Sequence, residues 1–155
     1  MKLLSIDPGL SFTGYAIFDR GPDRPILLSA NVIKLKNTLS IPAKLKFLYD
    51  TFNDMICDYE ITDIAIETPF LGKNAATFTK LGYIRSVVYL LSEVHSLGLH
   101  EFAPQVVKKA VTGFGASDKD AVARVMRRMY PILIDIRRTD VTDAAAVGTC
   151  AFLMY

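Results

Sequence analysis

Four acidic residues stand where they could act together on a phosphate. Asp7 closes the apolar run Leu3–Ile6 and is followed by Pro8 and Gly9, and Glu67 closes the run Ile61–Ile66 with Pro69 close behind. Asp140 and Asp143 are three apart, a spacing that puts two side chains on one face of a helix. If the two strands are neighbours, Asp7 and Glu67 lie side by side, and the helix projects its two acids over the same spot. Adjacent carboxylates raise one another's pKa, so such a cluster is unfavourable without cations. Hard oxygen donors suit Mg²⁺ or Mn²⁺. Two such ions about 4 Å apart activate a water and stabilise the leaving oxygen in phosphodiester hydrolysis. Taken singly, each acid has an ordinary role: Asp7 as a turn former before Pro-Gly, Asp140 as a partner for a helix dipole. Only the ensemble points to chemistry.

The elements that would carry these acids follow from apolar periodicity. Leu3 to Ile6 is a short strand stopped at Asp7-Pro8-Gly9; Phe12 to Phe18 and Ile26 to Leu35 are two more β-prone stretches, parted by Gly21-Pro22. Short turns between them predict an antiparallel meander. The period then changes: Leu45, Leu48, Phe52, Met55, Ile56 and Tyr59 recur at helical spacing over Ala43 to Tyr59, with Pro42 as an opening residue. Ile61 to Ile66 is a fourth strand, Asn74 to Leu97 a long helix, and Leu99 to Ala103 a fifth strand. A short helix around Val106–Val111 leads to the Gly113-Phe114-Gly115 loop. A helix from Ser117, as N-cap, reaches about Tyr130, and a last one begins near Thr139. The order predicts one α/β domain over residues 1–155, built on a mixed sheet of five strands flanked by helices.

Composition bounds the function. Of 155 residues, 51% are hydrophobic and 22% charged, so a sizeable core is expected and wholesale disorder is not. No apolar run reaches the roughly 18–20 residues a membrane span needs, and Asp7 interrupts the opening stretch where a signal peptide would stay apolar. Cys57 and Cys150 lack metal or redox spacing and read as reduced core thiols of a cytoplasmic protein. The net charge of +2 hides an asymmetry: Lys73 to Arg138 holds 11 Lys/Arg against 5 Asp/Glu, and the remainder 7 against 11. A basic segment beside an acidic remainder suits a polyanionic ligand. Lys73, Lys80, Arg85, Arg124, Arg127 and Arg128 are its candidate phosphate contacts.

The motifs match a known family. Ile6-Asp7-Pro8-Gly9-Leu10-Ser11-Phe12-Thr13-Gly14-Tyr15-Ala16 resembles the opening of the RuvC Holliday junction resolvases. Ile66-Glu67-Thr68-Pro69-Phe70-Leu71-Gly72-Lys73-Asn74, followed by Lys80-Leu81-Gly82 and Arg85, is similar to its second acidic motif. Gln105-Val106-Val107-Lys108 and Gly113-Phe114-Gly115 through Lys119 resemble its third segment, and Asp140-Val141-Thr142-Asp143-Ala144-Ala145-Ala146-Val147-Gly148 its D-x-x-D-A helix. The four motifs fall in order and span nearly the whole chain.

The resemblance implies a ribonuclease-H-like fold, a homodimer paired through the long helix, and symmetric nicks in opposing strands of a four-way junction. It places Asp7, Glu67, Asp140 and Asp143 as the metal-binding catalytic acids, with Mg²⁺ (Mn²⁺ substituting) at two ions per site. Lys108 and Lys119 fall on the two lysines that serve that site, where an ammonium can hold the scissile phosphate. Phe70 falls on an aromatic used against bases near the junction centre, a contact of about 1–3 kcal/mol for a stacked base. Thr68 and Pro69 depart from the usual Gln-Val-type pair, and the chain stops at Tyr155 with little tail. The compact form resembles a phage or otherwise divergent member acting in a bacterial or phage-infected cell. Docking to branch-migration proteins and a strict sequence preference at the cut do not follow from it.

Three rivals differ in class or appetite. An actin- or sugar-kinase-type phosphotransferase shares Asp7-x-Gly9 with Thr13 but needs a second domain to close over ATP. A catalytically silent junction-binding module has no use for four unpaired acids facing DNA. A broader branched-DNA nuclease, cutting forks or flaps, keeps every motif.

Overall fold

The structure is a computed structural model and describes residues 1–68 and 74–155. Its first three strands are β1 (Lys2–Asp7), β2 (Phe12–Arg20) and β3 (Pro25–Lys34), joined as the expected antiparallel meander. Pro8 cannot donate to a ladder, so β1 ends where the acid stands. The turn beyond it is braced by Thr13, whose Oγ1 donates to the Gly9 carbonyl at 3.1 Å. A Cβ at Gly9 would stand 2.0 Å from the Phe12 carbonyl oxygen, which explains the glycine.

Helix α1 (Ile41–Tyr59) starts at Ser40, whose side chain accepts from the Ala43 amide, and stops at Glu60 in the left-handed region (φ 52°). Strand β4 (Asp63–Glu67) then runs parallel to β1, with Ile6 beside Ile66. Helix α2 (Ala75–Val94), capped by Asn74 on the Thr77 amide, returns the chain to β5 (Gly98–Phe102), parallel to β4. Helices α3 (Pro104–Thr112), α4 (Lys119–Met129) and α5 (Thr139–Met154) complete the chain, with a 3-10 turn at Pro131–Leu133. The sheet order is β3-β2-β1-β4-β5, a mixed five-stranded sheet of the ribonuclease-H-like kind.

Two cores lie on its two faces. Leu4, Ile6, Ile17, Ile64 and Ile66 pack under α1 and α2 through Leu48, Phe52, Val88 and Leu91. Leu3, Ala16, Phe18, Ala65 and Phe102 face α3, α4 and α5 through Val107, Met126, Val141 and Val147. Because β1 and β4 are covered on both sides, they read as nearly continuous apolar runs, broken inside β1 only by Ser5, whose hydroxyl donates to the Ala16 carbonyl. Alternation along them decides where the acids go. Asp7 follows the parity of Leu3, and Glu67 that of Ala65, so both side chains fall on the α3–α5 face.

Two expectations change. The cap of α4 is Asp118, which accepts from the Ala121 amide at 2.6 Å, not Ser117. Ser117 instead donates to the Phe114 carbonyl, closing the preceding turn. Of the two thiols, Cys150 is buried in α5 but Cys57 is exposed on α1, so only one belongs to a core.

Candidate active site

The parallel pair β1–β4 brings Asp7 and Glu67 to the same edge of the sheet, one residue past the Ile6–Ile66 pair. Helix α5 crosses above them. Its approach to β2 is close enough that a Cβ on Gly14 would stand 2.0 Å from the Asp140 carbonyl oxygen. That contact sets the start of α5 over the end of β1. Asp143, one turn on, joins Asp7 and Glu67 in lining a cavity of about 160 Å³. Helix α3 contributes Lys108 to the same cavity and the first residue of α4 contributes Lys119. A volume of this size has room for roughly five water-sized groups, which suits ions with their waters or a phosphate.

The electrostatics are those of a crowded anionic site. Burial, then the charges of Asp143, Glu67 and Asp140, push the Asp7 carboxyl up to about 8, against the opposing pull of Lys119. Glu67 and Asp143 are also raised, by burial first; Lys119 and Lys108 pull both down. Lys119 Nζ donates to Asp143 Oδ2 at 2.8 Å. Burial opposes its charged form, but the bond to Asp143 and the field of the acids hold the ammonium above its ordinary value. Both lysines therefore sit among the acids.

Asp140 has a different arrangement. Arg138 Nε and Nη2 donate to its Oδ2 at 3.0 and 2.7 Å, while the guanidinium carbon lies 3.5 Å from the Phe12 ring centroid. Among the described residues, no three acids are drawn together as a finished metal cage. The donor set nevertheless fits hard cations: three carboxylates share one cavity, and Asp7 there is disfavoured as a bare anion.

The proposed DNA contacts divide. Lys80 is exposed on α2, as are Arg124 and Arg128 on α4, and all are available to a phosphate. Phe70 and Lys73 lie outside the described residues. Arg85 does not fit the expectation: it is buried (4% exposed), donates to the Glu67 carbonyl oxygen, and pairs with Glu101 Oε1 at 3.0 Å. It occupies the inner face of α2 beside Ile84 and Val88, so it is not a surface phosphate contact. Arg127 is likewise engaged inside the fold, donating to the Ile136 carbonyl at 2.8 Å.

The sequence reading missed Arg138, although an arginine just before the D-x-x-D turn was a visible signal. It also missed Tyr89 and Glu101, which partner Arg85.

Comparison with known proteins agrees with this geometry. The family model described as crossover junction endodeoxyribonuclease RuvC matches residues 3–151. A crossover junction endodeoxyribonuclease RuvC from Gluconacetobacter diazotrophicus is 36% identical over 97% of this chain and 89% of its own length. One from Chlorobium phaeobacteroides is 37% identical over 99% of this chain and 82% of its own. Among solved structures, T. thermophilus RuvC in complex with a Holliday junction substrate superposes with a TM-score of 0.90 at 20% identity, covering 99% of this chain and 94% of that one.

Proposed function

The chain belongs to the RuvC family of crossover junction endodeoxyribonucleases, and we infer from that membership and from its acid cluster that it resolves four-way (Holliday) DNA junctions. The reaction is phosphodiester hydrolysis, delivered as paired symmetric nicks. The observation that carries this reading is the convergence of Asp7, Glu67 and Asp143 with Lys108 and Lys119 on one cavity. Residues 1–155 act as a single nuclease domain.

Asp7, Glu67 and Asp143 are the residues that would hold the cations, with Asp140 added once Arg138 yields it. Two Mg²⁺ ions, for which Mn²⁺ can substitute, would supply an activated water and charge neutralisation at the leaving oxygen. The chain's own part is positional and electrostatic. Lys108 and Lys119 hold the scissile phosphate against the acids and offset the negative charge that grows on it. Lys73, Lys80 and the exposed arginines of α4 meet the flanking backbone, and Phe70 serves the junction centre.

A homodimer fits a substrate with two symmetry-related strands. Its support is the outer stripe of α2, where Tyr83, Leu90 and Val94 are 47%, 54% and 55% exposed at helical spacing. Val88 and Leu91, on the inner stripe of the same helix, are spent on the core under the sheet. Among the described residues, no helix is long and apolar enough to cross a membrane, and the reaction belongs in the cytoplasm with the DNA.

The deciding experiment is a substrate panel with Mg²⁺ and then Mn²⁺: mobile junction, fixed junction, fork, flap and linear duplex. Preferential paired cutting of junctions supports the reading. Equal cutting of forks and flaps replaces it with a broader branched-DNA nuclease, and binding without cutting replaces it with a silent junction-binding module.

A further inference from the structure

Arg85 is a buried cation (4% exposed) to which the proposed function assigns no part. Its guanidinium comes from α2, which packs on the other face of the sheet, and reaches the end of β4, where Arg85 lines a second cavity together with Asp7, Glu67 and Phe78. Nη1 donates to the carbonyl oxygen of Glu67 itself. Nη2 donates to Glu101 Oε1 at 3.0 Å and to Tyr89 Oη at 3.1 Å, and Tyr89 Oη donates in turn to Glu101 Oε1 at 2.7 Å. Glu101 belongs to β5, the strand beside β4, and its register partner there is Ile66. One fork therefore ties together α2, the edge strand, and the backbone of the residue that carries a cavity carboxylate.

A strand end is where a ladder frays. Here the Thr68 amide still donates to the Phe102 carbonyl at 2.8 Å, and Arg85 fastens the Glu67 carbonyl on the other side. A buried arginine is costly unless its charge is met, and Glu101 meets it. The planar fork can hold two acceptors in fixed directions at once, which a lysine cannot. Partners that orient a metal-binding carboxylate typically matter by about 10- to 100-fold in metal affinity or activity.

We propose that Arg85 is a positioning residue for the nuclease centre, clamping the Glu67 backbone through a Tyr89–Glu101 network so that its carboxylate is held toward Asp7 and Asp143. The proposal rests on the reading of Glu67 as a cation-holding acid.

The test compares full-length Arg85→Met, Arg85→Lys and Glu67→Gln with the wild type. Three quantities are measured: Mn²⁺ binding by electron paramagnetic resonance without DNA, junction affinity in EDTA, and single-turnover cutting at saturating junction. Arg85→Met is expected to weaken Mn²⁺ binding and slow cutting by about 10-fold or more, while junction affinity stays within about twofold. Arg85→Lys keeps the charge but loses the fork, and is expected to restore only a minor part of the rate. If affinity falls as much as rate, Arg85 is a DNA contact and the proposal is wrong. If Glu67→Gln loses Mn²⁺ while Arg85→Met does not, the proposal alone falls. If Glu67→Gln keeps Mn²⁺, the reading of Glu67 falls and takes the proposal with it. Should Arg85→Met fail to fold, the partly exposed partners decide. Glu101→Gln and Tyr89→Phe must then show the same joint loss of Mn²⁺ affinity and rate, and wild-type values in both would overturn the clamp.

Discussion

Gly14 of β2 and Asp140 of α5 touch: a methyl added to the glycine would stand 2.0 Å from the Asp140 carbonyl oxygen and 2.5 Å from its carbon. The contact is backbone to backbone, so no side chain can swing aside to relieve it. Gly14→Ala must therefore push the start of α5 away from the sheet, and Asp140 and Asp143 move with it. The expected cost is about 1–3 kcal/mol of stability from overpacking. Cutting should fall further, by about a hundredfold, because a displacement near 1 Å is large on the scale of catalytic alignment. A melting curve beside single-turnover rates checks this; a folded Gly14→Ala protein that cuts at the wild-type rate would mean that the approach of α5 does not set the site.

Asp7→Asn should separate binding from cutting. The substitution keeps the shape of a side chain packed at the end of β1 and removes one of the mutually repelling charges. Cutting is expected to fall by roughly a hundredfold or more, the scale of losing one group that stabilises the transition state. Junction affinity in EDTA should hold or rise, since one negative charge facing DNA is gone. Loss of both properties together, seen by gel shift and nicking assay, would assign Asp7 a structural role.

The raised Asp7 pKa gives stability a defined pH dependence. The ordinary value is 3.8 and the folded value about 8, so between them the folded state binds a proton that the unfolded state has released. Without cations, the Asp7 contribution therefore destabilises progressively as pH rises from about 4 to about 8, with a slope of at most about 1.4 kcal/mol per pH unit. A divalent cation competes with that proton. The rise in Tm on adding excess Mg²⁺ should consequently be small near pH 6 and grow toward pH 8. Thermal melts with and without Mg²⁺ across this range read it directly, and a metal-induced shift that does not change with pH would count against the cluster as the cation site.

Much of this site was legible because strand ends and helix turns are local features. An apolar run stopped by Asp7-Pro8-Gly9 puts an acid at an edge, and two acids three apart share a helical face wherever the helix goes. What local pattern could not supply was the direction of residues whose partners are distant in sequence. Arg85 reads as a surface cation, yet it falls between Ile84 and Val88 on the stripe that α2 turns to the sheet, and Glu101 makes that burial affordable. Tyr83 and Leu90 are apolar too, but they lie off the stripe of Ile84, Val88 and Leu91 that α2 buries, so they remain outside. Arg138 stacks on Phe12 from the far end of the chain, a contact that no spacing rule anticipates. The cap of α4 turned on one residue, since Ser117 and Asp118 are both good caps. Asp118 takes the cap by accepting from the Ala121 amide, while the Ser117 hydroxyl is spent on the Phe114 carbonyl.

Lys119 and Lys80 should fail in different ways. Lys119 pairs with Asp143 inside the cavity, and its charge lowers the pKa of Asp7, Glu67 and Asp143. Lys119→Ala should cut more slowly at saturating junction by about a hundredfold, with affinity nearly unchanged. Removing its charge raises those carboxyl pKa values, so the acid limb of its rate profile should also move to higher pH. Lys80→Ala should leave the rate at saturation intact while weakening binding and flattening the slope of log affinity against log salt by about one unit. The opposite pattern, rate loss in Lys80→Ala and affinity loss in Lys119→Ala, would exchange the two roles.

The outer stripe of α2 should hold two copies of the chain together. Tyr83, Leu90 and Val94 lie seven and eleven residues along one helix, close to whole turns, and each leaves about half its surface exposed. The inner stripe of the same helix is already committed to Ile6, Ile64 and Ile66, so the outer stripe is free for a second copy. Leu90→Glu with Val94→Glu places two carboxylates at that contact and should yield monomers by light scattering, with Tm changed only through the lost association. Each monomer keeps its acids and lysines, so single nicks should persist, but the two opposing strands should no longer be cut within one binding event. The readout is the ratio of nicked to linearised product from a cruciform plasmid, which should shift strongly toward nicked. A double-glutamate protein that remains dimeric, or a monomer that still linearises the cruciform in one encounter, would show that the pairing of cuts has another origin.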